Sequence, residues 1–263
     1  MLVKFWKYQG AGNDFILFDN RSGVIAHDRT EWFNRLCDRR FGIGADGVML
    51  LEHAPGYDFG MVYYNSDGRP GTMCGNGGRC MIAFAGALGM QQGDYRFLAV
   101  DGPHAAFVRD GLVHLQMQDV HKIEHTGGHY ILDTGSPHYV TFAHDILSMD
   151  VKTAGAAIRY QPEFMPRGIN VNFLEQDEGA LLIRTYERGV EDETLSCGTG
   201  VTASALVAAI HQQLPEGEHT LALQTMGGKL QVRFTRTGPA DFTDIWLIGP
   251  GTFVFAGEVE LPA

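Results

Sequence analysis

Met73-Cys74-Gly75-Asn76-Gly77-Gly78 is the stretch from which the organisation of this chain is most readily inferred. A second stretch, Ser196-Cys197-Gly198-Thr199-Gly200, repeats the pattern x-Cys-Gly-x-Gly about half a chain later. Small and apolar residues follow each stretch, from Cys80 to Met90 and from Val201 to Ile210. A helix that is apolar on nearly every side is typical of a protein core. The sequence therefore predicts two buried helices, each preceded by a glycine-rich turn that carries a cysteine.

The two cysteines are predicted to stand at helix N-termini. Backbone N–H groups without intrahelical acceptors and the positive end of the helix dipole gather there. Such a position lowers the pKa of a thiol and also binds carboxylates. Because the arrangement occurs twice, at Cys74 and at Cys197, we expect two thiols to face one substrate.

The bulk composition restricts the class of protein. The chain has 263 residues, of which 44% are hydrophobic, enough for one large domain or two of modest size. A formal net charge of −11 argues against nucleic acid or an anionic membrane as a partner. No apolar run is long enough to span a membrane, and the first residues lack the apolar core of a signal peptide. Four cysteines without a dense pattern fit a reducing compartment, so we expect a cytoplasmic protein.

The order strand, loop, cysteine, helix occurs twice along the chain. A predicted strand, Phe59 to Tyr64, ends in the turn Asn65-Ser66-Asp67-Gly68 ahead of Cys74. A second strand, Leu181 to Tyr186, runs into Glu187-Arg188-Gly189 ahead of Cys197. The repeat predicts an α/β (α+β) fold of two similar, pseudo-symmetric domains. Each domain is predicted to wrap mainly antiparallel strands around its cysteine-bearing helix.

A domain boundary is predicted near Val120, where the polar segment Asp119 to Gly128 shows no clear period. The first domain would cover residues 1–119 and the second residues 120–263. We expect that the last strand of the second domain can pack on the first domain.

Several other patterns point to structure rather than to a binding site. Gly42-Ile43-Gly44-Ala45-Asp46-Gly47 matches G-x-G-x-x-G, but it follows the predicted helix Asp28 to Arg40 and leads into an apolar run. A dinucleotide-binding motif instead follows a strand and opens a helix, so we predict a helix C-terminus and a turn here.

The remaining His and Cys residues do not form an evident metal site. His121, His125 and His129 have helical spacing, but Gly127-Gly128 would break such a helix, which favours a solvated loop over a metal site. Cys37 is predicted to be core, and Cys80 lies too far from Cys74 for a usual zinc pair.

Taken in order, the motifs of this chain resemble those of the diaminopimelate epimerase family, the cofactor-independent amino-acid epimerases. The resemblance covers nearly the whole chain. It rests on Gly12-Asn13-Asp14-Phe15, Asn65-Ser66-Asp67-Gly68, Met73-Cys74-Gly75-Asn76-Gly77, Pro137-His138, Asn170-Val171, Glu187-Arg188-Gly189-Val190 and Cys197-Gly198-Thr199-Gly200. It implies an isomerase that interconverts LL- and meso-diaminopimelate for lysine and peptidoglycan precursor synthesis. It further implies a small-molecule substrate, no cofactor, no metal and, as one possible assembly, a homodimer.

The resemblance also implies roles for individual residues. Cys74 and Cys197 correspond to the two catalytic bases, and His138 and Glu187 are expected to tune the thiols. The implied substrate contacts are Asn13, Asn65, Gly75, Asn76, Asn170, Glu187, Arg188, Gly198 and Thr199. The chain departs from the family pattern at three places: Ser136 replaces a usual Asn, Gly47 replaces a Gln common in some members, and the segment from Glu187 to Cys197 is one residue longer.

The residue chemistry is consistent with that function. An amino-acid Cα–H is a very weak acid, and inversion requires proton removal on one face and delivery on the other. Two neighbouring thiols would share the charge, one as thiolate and one as thiol. Helix N-termini would stabilise the charge that develops on the substrate carboxylate, and domain closure would exclude water. Arg188 is suited to bind a second carboxylate, and no lysine is an obvious candidate for a pyridoxal Schiff base.

Three other functions compete with this one. A proline-racemase-type enzyme also uses two cysteines in glycine-rich turns, but that family tends to carry His where this chain has Asn76. A thiol redox or zinc-binding protein would need C-x-x-C pairs, which the sequence lacks. A non-catalytic binding protein on the same fold would have no need to retain both Cys74 and Cys197.

Overall fold

The computed structural model describes residues 1–90, 93–177 and 179–262. The chain divides into two compact units, Met1–Leu115 together with Gly249–Ala263, and Gln116–Ile248. We predicted a boundary after residue 119 and a C-terminal segment in the second domain whose last strand can pack on the first. The structure groups that segment with the first unit, and its strand pairs with the first strand of the chain over almost its whole length.

The described residues form the following elements. The strands are β1 (Leu2–Gly10), β2 (Asn13–Asp19), β3 (Gly47–Glu52), β4 (Phe59–Asn65), β5 (Asp94–Ala99), β6 (Gly102–Arg109), β7 (Leu112–Gln116), β8 (Glu124–Thr126), β9 (His129–Asp133), β10 (Pro137–Phe142), β11 (Asn170–Asp177), β12 (Ala180–Glu187), β13 (Asp192–Thr194), β14 (Gly217–Thr225), β15 (Gly228–Gly238), β16 (Asp241–Gly249) and β17 (Thr252–Glu260). The helices are α1 (Thr30–Cys37), α2 (Gly75–Ala87), α3 (Val151–Arg159) and α4 (Gly198–His211), with short 3-10 helices at Ile146–Ser148 and Pro162–Phe164.

Strand pairing follows one pattern in both units. In the first unit β1 pairs antiparallel with β17 and β2, β2 runs parallel to β3, β3 is antiparallel to β4, and β4 runs parallel to β5. In the second unit β9 pairs antiparallel with β8 and β10, β10 runs parallel to β11, β11 is antiparallel to β12, and β12 runs parallel to β14. Antiparallel strands complete each unit. The predicted α+β fold with two similar halves is thus confirmed.

The helices occupy matching places in this pattern. In the first unit α1 connects β2 to its parallel neighbour β3, and α2 connects β4 to β5. In the second unit α3 connects β10 to β11, and α4 lies between β12 and β14. Parallel neighbours need such a crossover. The two cysteine-bearing helices are therefore equivalent crossovers in the two units.

Both crossover helices are buried, as predicted. In α2 every residue from Gly75 to Ile82 is buried, and α4 is buried along nearly its whole length. Small residues allow α2 to pack closely against β3: a Cβ at Gly77 would lie 1.8 Å from Cε of Met49. Each helix begins directly after its cysteine, earlier than the apolar run that predicted it. The additional residues of α2 include polar Asn76 and Arg79, which are buried as well.

The glycine-rich segment after α1 is a helix end, in agreement with the sequence-based prediction. The N–H groups of Ile43 and Gly44 donate to the carbonyl of Leu36, and Gly44 has a φ of +83°, which favours glycine. The segment of His121, His125 and His129 contains no helix; His125 lies in β8 and His129 begins β9. Within the described residues, no helix has the length and hydrophobicity required to cross a membrane.

Candidate active site

Each cysteine is the N-cap residue of its crossover helix. Cys74 has φ −116° and ψ 121°, and Cys197 has φ −116° and ψ 111°, so the two backbones nearly coincide in conformation. The carbonyl of Cys74 accepts the N–H of Gly78 at 2.7 Å, and that of Cys197 accepts the N–H of Val201 at 2.8 Å. The N–H groups of the intervening residues belong to the first helical turn, where no intrahelical acceptor exists. We call these two sites the first and second half-site.

In the first half-site, Asn13 links the cysteine to the start of α2. Its Oδ1 lies 3.7 Å from Sγ of Cys74 and accepts a hydrogen bond from Nδ2 of Asn76 at 3.4 Å. Its Nδ2 donates to the carboxylate of Asp46, which also accepts the backbone N–H of Asp14 at 3.1 Å. Because Asp46 can only accept when ionised, it fixes the amide of Asn13 with the oxygen towards Cys74. Of the predicted residues, Asn13 and Asn76 are therefore brought together with Cys74.

Asp46, which holds the amide of Asn13, belongs to a cluster of charged residues. Asp14 binds Nζ of Lys7 at 2.8 Å and the guanidinium of Arg39, which also reaches Asp46. Burial opposes the ionisation of Asp14, but hydrogen bonds and charges from Arg39 and Lys7 outweigh it and lower its pKa to about 2. Lys7 is a buried lysine that the sequence analysis overlooked. Its Nζ binds the carboxylate of Asp14 and donates to the carbonyl of Gly44, so both contacts hold it within this cluster.

Asn65 lies at the same end of the sheet as Asn13 but makes different contacts. The register places Phe15 beside Gly47, and Gly47 opposite Asn65. The Nδ2 of Asn65 reaches the carbonyl of Pro70 at 3.5 Å within its own turn. Gly47 has no room for the longer side chain of a Gln, since a Cβ there would lie 2.4 Å from the ring of Tyr63.

The other two cysteines are structural. Burial raises the pKa of Cys37 to about 12, with smaller charge effects led by Lys7, which acts in the opposite direction. Burial likewise raises the pKa of Cys80 to about 12. Both thiols therefore remain protonated near neutral pH, and the prediction that Cys37 is a core residue is confirmed.

In the second half-site, the cysteine contacts its own helix. Sγ of Cys197 lies 3.4 Å from Oγ1 of Thr199, whose carbonyl accepts the hydroxyl of Thr134 at 2.9 Å. Gly200 lies against Asn172, and a Cβ at Gly200 would come within 2.4 Å of Oδ1 of Asn172. The first turn of α4 is thus closely packed against β11.

Asn172 also determines the state of His138. Nδ2 of Asn172 donates to the Tyr139 carbonyl at 2.9 Å and to Nδ1 of His138 at 3.0 Å, while its Oδ1 accepts the hydroxyl of Thr185 at 3.0 Å. The amide orientation leaves Nδ1 of His138 as an acceptor, which places the ring proton on Nε2. Desolvation, reinforced by the charge of Arg188, lowers the pKa of His138 to about 3. At neutral pH His138 is therefore an uncharged imidazole.

This state of His138 predicts a pH-dependent stability. Its pKa falls from 6.5 to about 3 on folding, so between these values the unfolded chain binds one more proton. The stabilisation is complete above about pH 6.5 and is lost as the pH falls, at about 1.4 kcal/mol per pH unit. The free energy of unfolding, measured by denaturant titration at several pH values in this window, should change less steeply with pH for His138→Gln than for the parent protein. His144→Gln replaces an exposed histidine and is the control. An equal change of the unfolding free energy with pH in all three proteins would contradict the prediction.

Asn170 anchors the segment that carries Glu187 and Arg188. Its Nδ2 donates to Oγ of Ser136 at 2.8 Å and to the Pro137 carbonyl at 3.1 Å, and its Oδ1 accepts the backbone N–H of Arg188 at 2.9 Å. The side chain is buried. Ser136, which departs from the family pattern, thus serves as an acceptor for Asn170.

The longer segment between Glu187 and Cys197 has its own anchor. Glu191 has a φ of +57°, and its carboxylate accepts hydrogen bonds from Gly189, Arg159, Tyr160 and Tyr186 at 2.9 to 3.2 Å. Oε2 of Glu187 accepts the hydroxyl of Thr194 at 2.9 Å. Nη1 of Arg188 donates to the Arg167 carbonyl at 3.2 Å, and its side chain is only partly buried.

Sequence reasoning missed the supporting residues Asp46, Asn172 and Glu191. Asp46 stands in the glycine-rich segment that was assigned to a turn, and Asn172 lies two residues beyond Asn170 on the same strand face. Two-residue spacing in a strand was a usable signal for Asn172. Asp46 and Glu191 act through contacts distant in sequence or within an irregular loop, for which the sequence offered no pattern. Among the described residues, no group of three or more His, Cys, Asp or Glu side chains is arranged to hold a metal ion.

This chain is similar to known proteins over nearly its whole length. The model of the diaminopimelate epimerase family matches residues 5–126 and 130–252. The chain belongs to the diaminopimelate epimerase family. A diaminopimelate epimerase of Flavobacterium psychrophilum is 48% identical over 255 residues, covering 96% of this chain and 98% of that protein. The diaminopimelate epimerase of Chlorobaculum tepidum is 42% identical over 264 residues, covering 96% and 99%.

Solved structures share the fold of this diaminopimelate epimerase family member. A Bacillus anthracis phenazine biosynthesis protein of the PhzF family has a TM-score of 0.78 at 14% identity, covering 99% of this chain and 100% of that one. A hydroxyproline epimerase of Agrobacterium vitis has a TM-score of 0.69 at 15% identity, covering 98% and 92%. At these identities the likeness establishes the fold alone. The close relatives by sequence place the chain in an isomerase family and favour the main interpretation over the proline-racemase alternative.

Proposed function

We propose that this chain interconverts LL- and meso-diaminopimelate without a cofactor, using Cys74 and Cys197 as the acid–base pair. The observation that carries the proposal is the duplicated N-cap cysteine in a member of this family. The two cysteines have nearly the same backbone conformation and stand on equivalent crossover helices. The other two thiols are buried and held protonated.

The chemistry requires one thiolate and one thiol. The thiolate removes the α-proton from one face of the substrate, and the thiol delivers a proton to the other face. The charge that develops on the substrate carboxylate is stabilised by N–H groups of Gly75 and Asn76 in one helix and of Gly198 and Thr199 in the other. The two cysteines exchange roles with the direction of reaction.

The remaining residues would bind and orient the substrate. Arg188 pairs with the distal carboxylate, because its guanidinium offers two parallel donors and is only partly buried. Asn65 and Glu187 supply acceptors for the ammonium groups, and Asn13 positions the substrate beside Cys74. Asn170 acts chiefly by holding the backbone of Arg188, and neutral His138 offers an N–H rather than a positive charge.

The test is turnover of LL-diaminopimelate in D2O without added cofactor, sampled early. A resting thiol exchanges its hydrogen with solvent, so the product should carry deuterium at the inverted carbon from the first turnover. The recovered substrate should remain protiated, because the thiol that took its proton is not the one that delivers. Equal early deuterium in substrate and product would indicate a single base and overturn the assignment of Cys74 and Cys197. L-Proline assayed in parallel should not be racemised; turnover of L-proline alone would favour the competing enzyme class.

The assembly and compartment are further parts of the proposal. Strand β17 exposes Phe253, Val254 and Phe255, and an exposed apolar strand of this kind supports a homodimer. Sedimentation at several protein concentrations measures the assembly, and a monomer at every concentration would contradict the homodimer.

Four cysteines without a dense pattern support a cytoplasmic location, which fractionation of cells measures. The net charge of −11 supports a small molecule, rather than nucleic acid or a membrane, as the partner.

A further inference from the structure

Helix α2 contains a buried guanidinium group that the proposed chemistry does not yet use. Arg79 is fully buried. It donates to the carbonyls of Gly75 and Pro250 at 3.2 and 3.4 Å and to Oδ1 of Asn76 at 3.0 Å. These acceptors are all neutral, and no ion pair among the described residues includes Arg79. Because buried charges are ordinarily paired, a cation in this position requires an anion that forms nearby.

The charged groups around α2 leave one candidate for that anion. Burial lowers the pKa of Arg79, and the ionised forms of Cys80 and Cys74 are the groups that act against this effect. Cys80 stays protonated because burial raises its pKa to about 12. Tyr8 of β1 has a pKa raised by burial and then by Cys80, so it is neutral as well. Cys74 is therefore the thiol whose ionisation Arg79 can stabilise.

The strands that contact α2 offer no other free anion in the described part of the chain. Asp14 of β2 is bound by Lys7 and Arg39. The other ionisable side chains of β1, β2, β3 and β17 are exposed or engaged elsewhere: Lys4, Glu258 and Glu260 are exposed, Asp19 binds Arg21, and Glu52 binds Asn20 and His27.

The second half-site has a neutral residue in the corresponding place. Arg79 and Thr202 stand at the same distance in sequence from their cysteines, and both bond back to the residue that follows the cysteine. Nη1 of Arg79 donates to the Gly75 carbonyl at 3.2 Å, and Oγ1 of Thr202 donates to the Gly198 carbonyl at 3.0 Å. Thr202 is also fully buried. At this position of the two helices, α2 thus carries a buried cation where α4 carries a neutral hydroxyl.

We propose that Arg79 is the counter-charge of the Cys74 thiolate, so that the resting enzyme keeps its negative charge on Cys74 and its proton on Cys197. The proposal rests on the two-thiol function proposed above. Arg79 is a positioning residue, since it acts through Cys74 and through the side chain of Asn76. Arg188 of the second half-site is partly exposed, and it is assigned to the distal carboxylate of the substrate rather than to Cys197. The resting enzyme is then set to deprotonate the isomer whose α-hydrogen faces Cys74.

The test measures thiol ionisation by the pH dependence of alkylation with iodoacetamide, with the modified cysteine identified by peptide mass. Cys197→Ala reports on Cys74, and Cys74→Ala reports on Cys197. The alkylation midpoint of Cys74 should lie below that of Cys197 by about one pH unit or more, as expected for a neighbouring opposite charge. Adding Arg79→Met to Cys197→Ala should raise the Cys74 midpoint by about one to three pH units. The rate of alkylation near neutral pH should then fall about tenfold or more.

Two variants separate charge from packing. Arg79→Lys keeps a cation and should retain most of the low Cys74 midpoint, whereas Arg79→Met keeps an apolar chain of similar length. The matched control is Thr202→Val in the Cys74→Ala protein, which removes the equivalent hydrogen bond and should leave the Cys197 midpoint unchanged. A Cys74 midpoint at or above that of Cys197, or one that Arg79→Met does not move, overturns the proposal.

The outcome does not depend on turnover or on a single variant. If Arg79→Met fails to fold, as judged by circular dichroism, the comparison of the two single-cysteine variants still decides the order of the midpoints. Since alkylation needs no substrate, the two proposals can fail separately. If the protein does not epimerise diaminopimelate but Arg79→Met still raises the alkylation midpoint of Cys74, the epimerase function is refuted and this inference stands. If the protein is an active epimerase and Arg79→Met leaves the Cys74 midpoint unchanged, this inference is refuted and the function stands.

Discussion

Replacing either Cys74 or Cys197 by alanine is expected to abolish epimerisation while leaving the fold intact. Each variant removes one member of a pair that acts as a unit, so the loss should reach at least about 10³-fold. The two cysteines are N-cap residues whose side chains do not cap their helices, so alanine should preserve α2 and α4. Turnover is measured with LL-diaminopimelate, and circular dichroism reports on the fold.

The two single-cysteine variants should also differ from each other in which isomer exchanges its α-proton, because the two thiols act on opposite faces of the substrate. Each retains one thiol and should exchange the α-proton of one isomer with D2O without inverting it. Cys74→Ala and Cys197→Ala should select different isomers. Cys37→Ala is the matched control, since Cys37 is a buried thiol outside both half-sites, and it should retain turnover. Near-normal epimerisation by either test variant, or exchange of the same isomer by both, would contradict the two-base mechanism.

Arg188→Leu is expected to remove the partner of the distal carboxylate. Loss of one member of such a charge pair costs roughly 2–5 kcal/mol, or about 30-fold to several thousand-fold in kcat/KM. The loss should fall on diaminopimelate and be small for L-lysine, which lacks the second carboxylate. Inhibition constants for the two compounds provide the same comparison if L-lysine is not turned over.

The neighbouring arginine supplies the control for this experiment. Arg167 is largely exposed and holds Arg188 through its backbone carbonyl, which Arg167→Leu retains. That variant should lose little activity towards diaminopimelate, although it removes the same charge from the same region. An equal loss for Arg167→Leu and Arg188→Leu, or an equal loss for both compounds with Arg188→Leu, would show that Arg188 is not the specificity residue.

Much of the fold followed from local pattern. The apolar runs after Cys74 and Cys197 predicted two buried helices, and α2 and α4 are buried. The repeated order of strand, loop, cysteine and helix predicted two similar halves, which the equivalent strand pairings confirm. These features depend on periodicity and on residue size over a few turns, which a single sequence displays directly.

The tertiary structure decided the features that depend on residues far apart in the chain. The C-terminal strand joins the first unit because its partner is β1, at the other end of the sequence. Asn13 is oriented by Asp46, and His138 is made neutral by burial and by Asn172. Arg79 forms no ion pair with a carboxylate among the described residues, because those on the strands that contact α2 are bound to other groups or exposed. Charge state and hydrogen-bond direction are set by what surrounds a side chain in space, and sequence spacing carries no information about those neighbours until the sheet register is fixed.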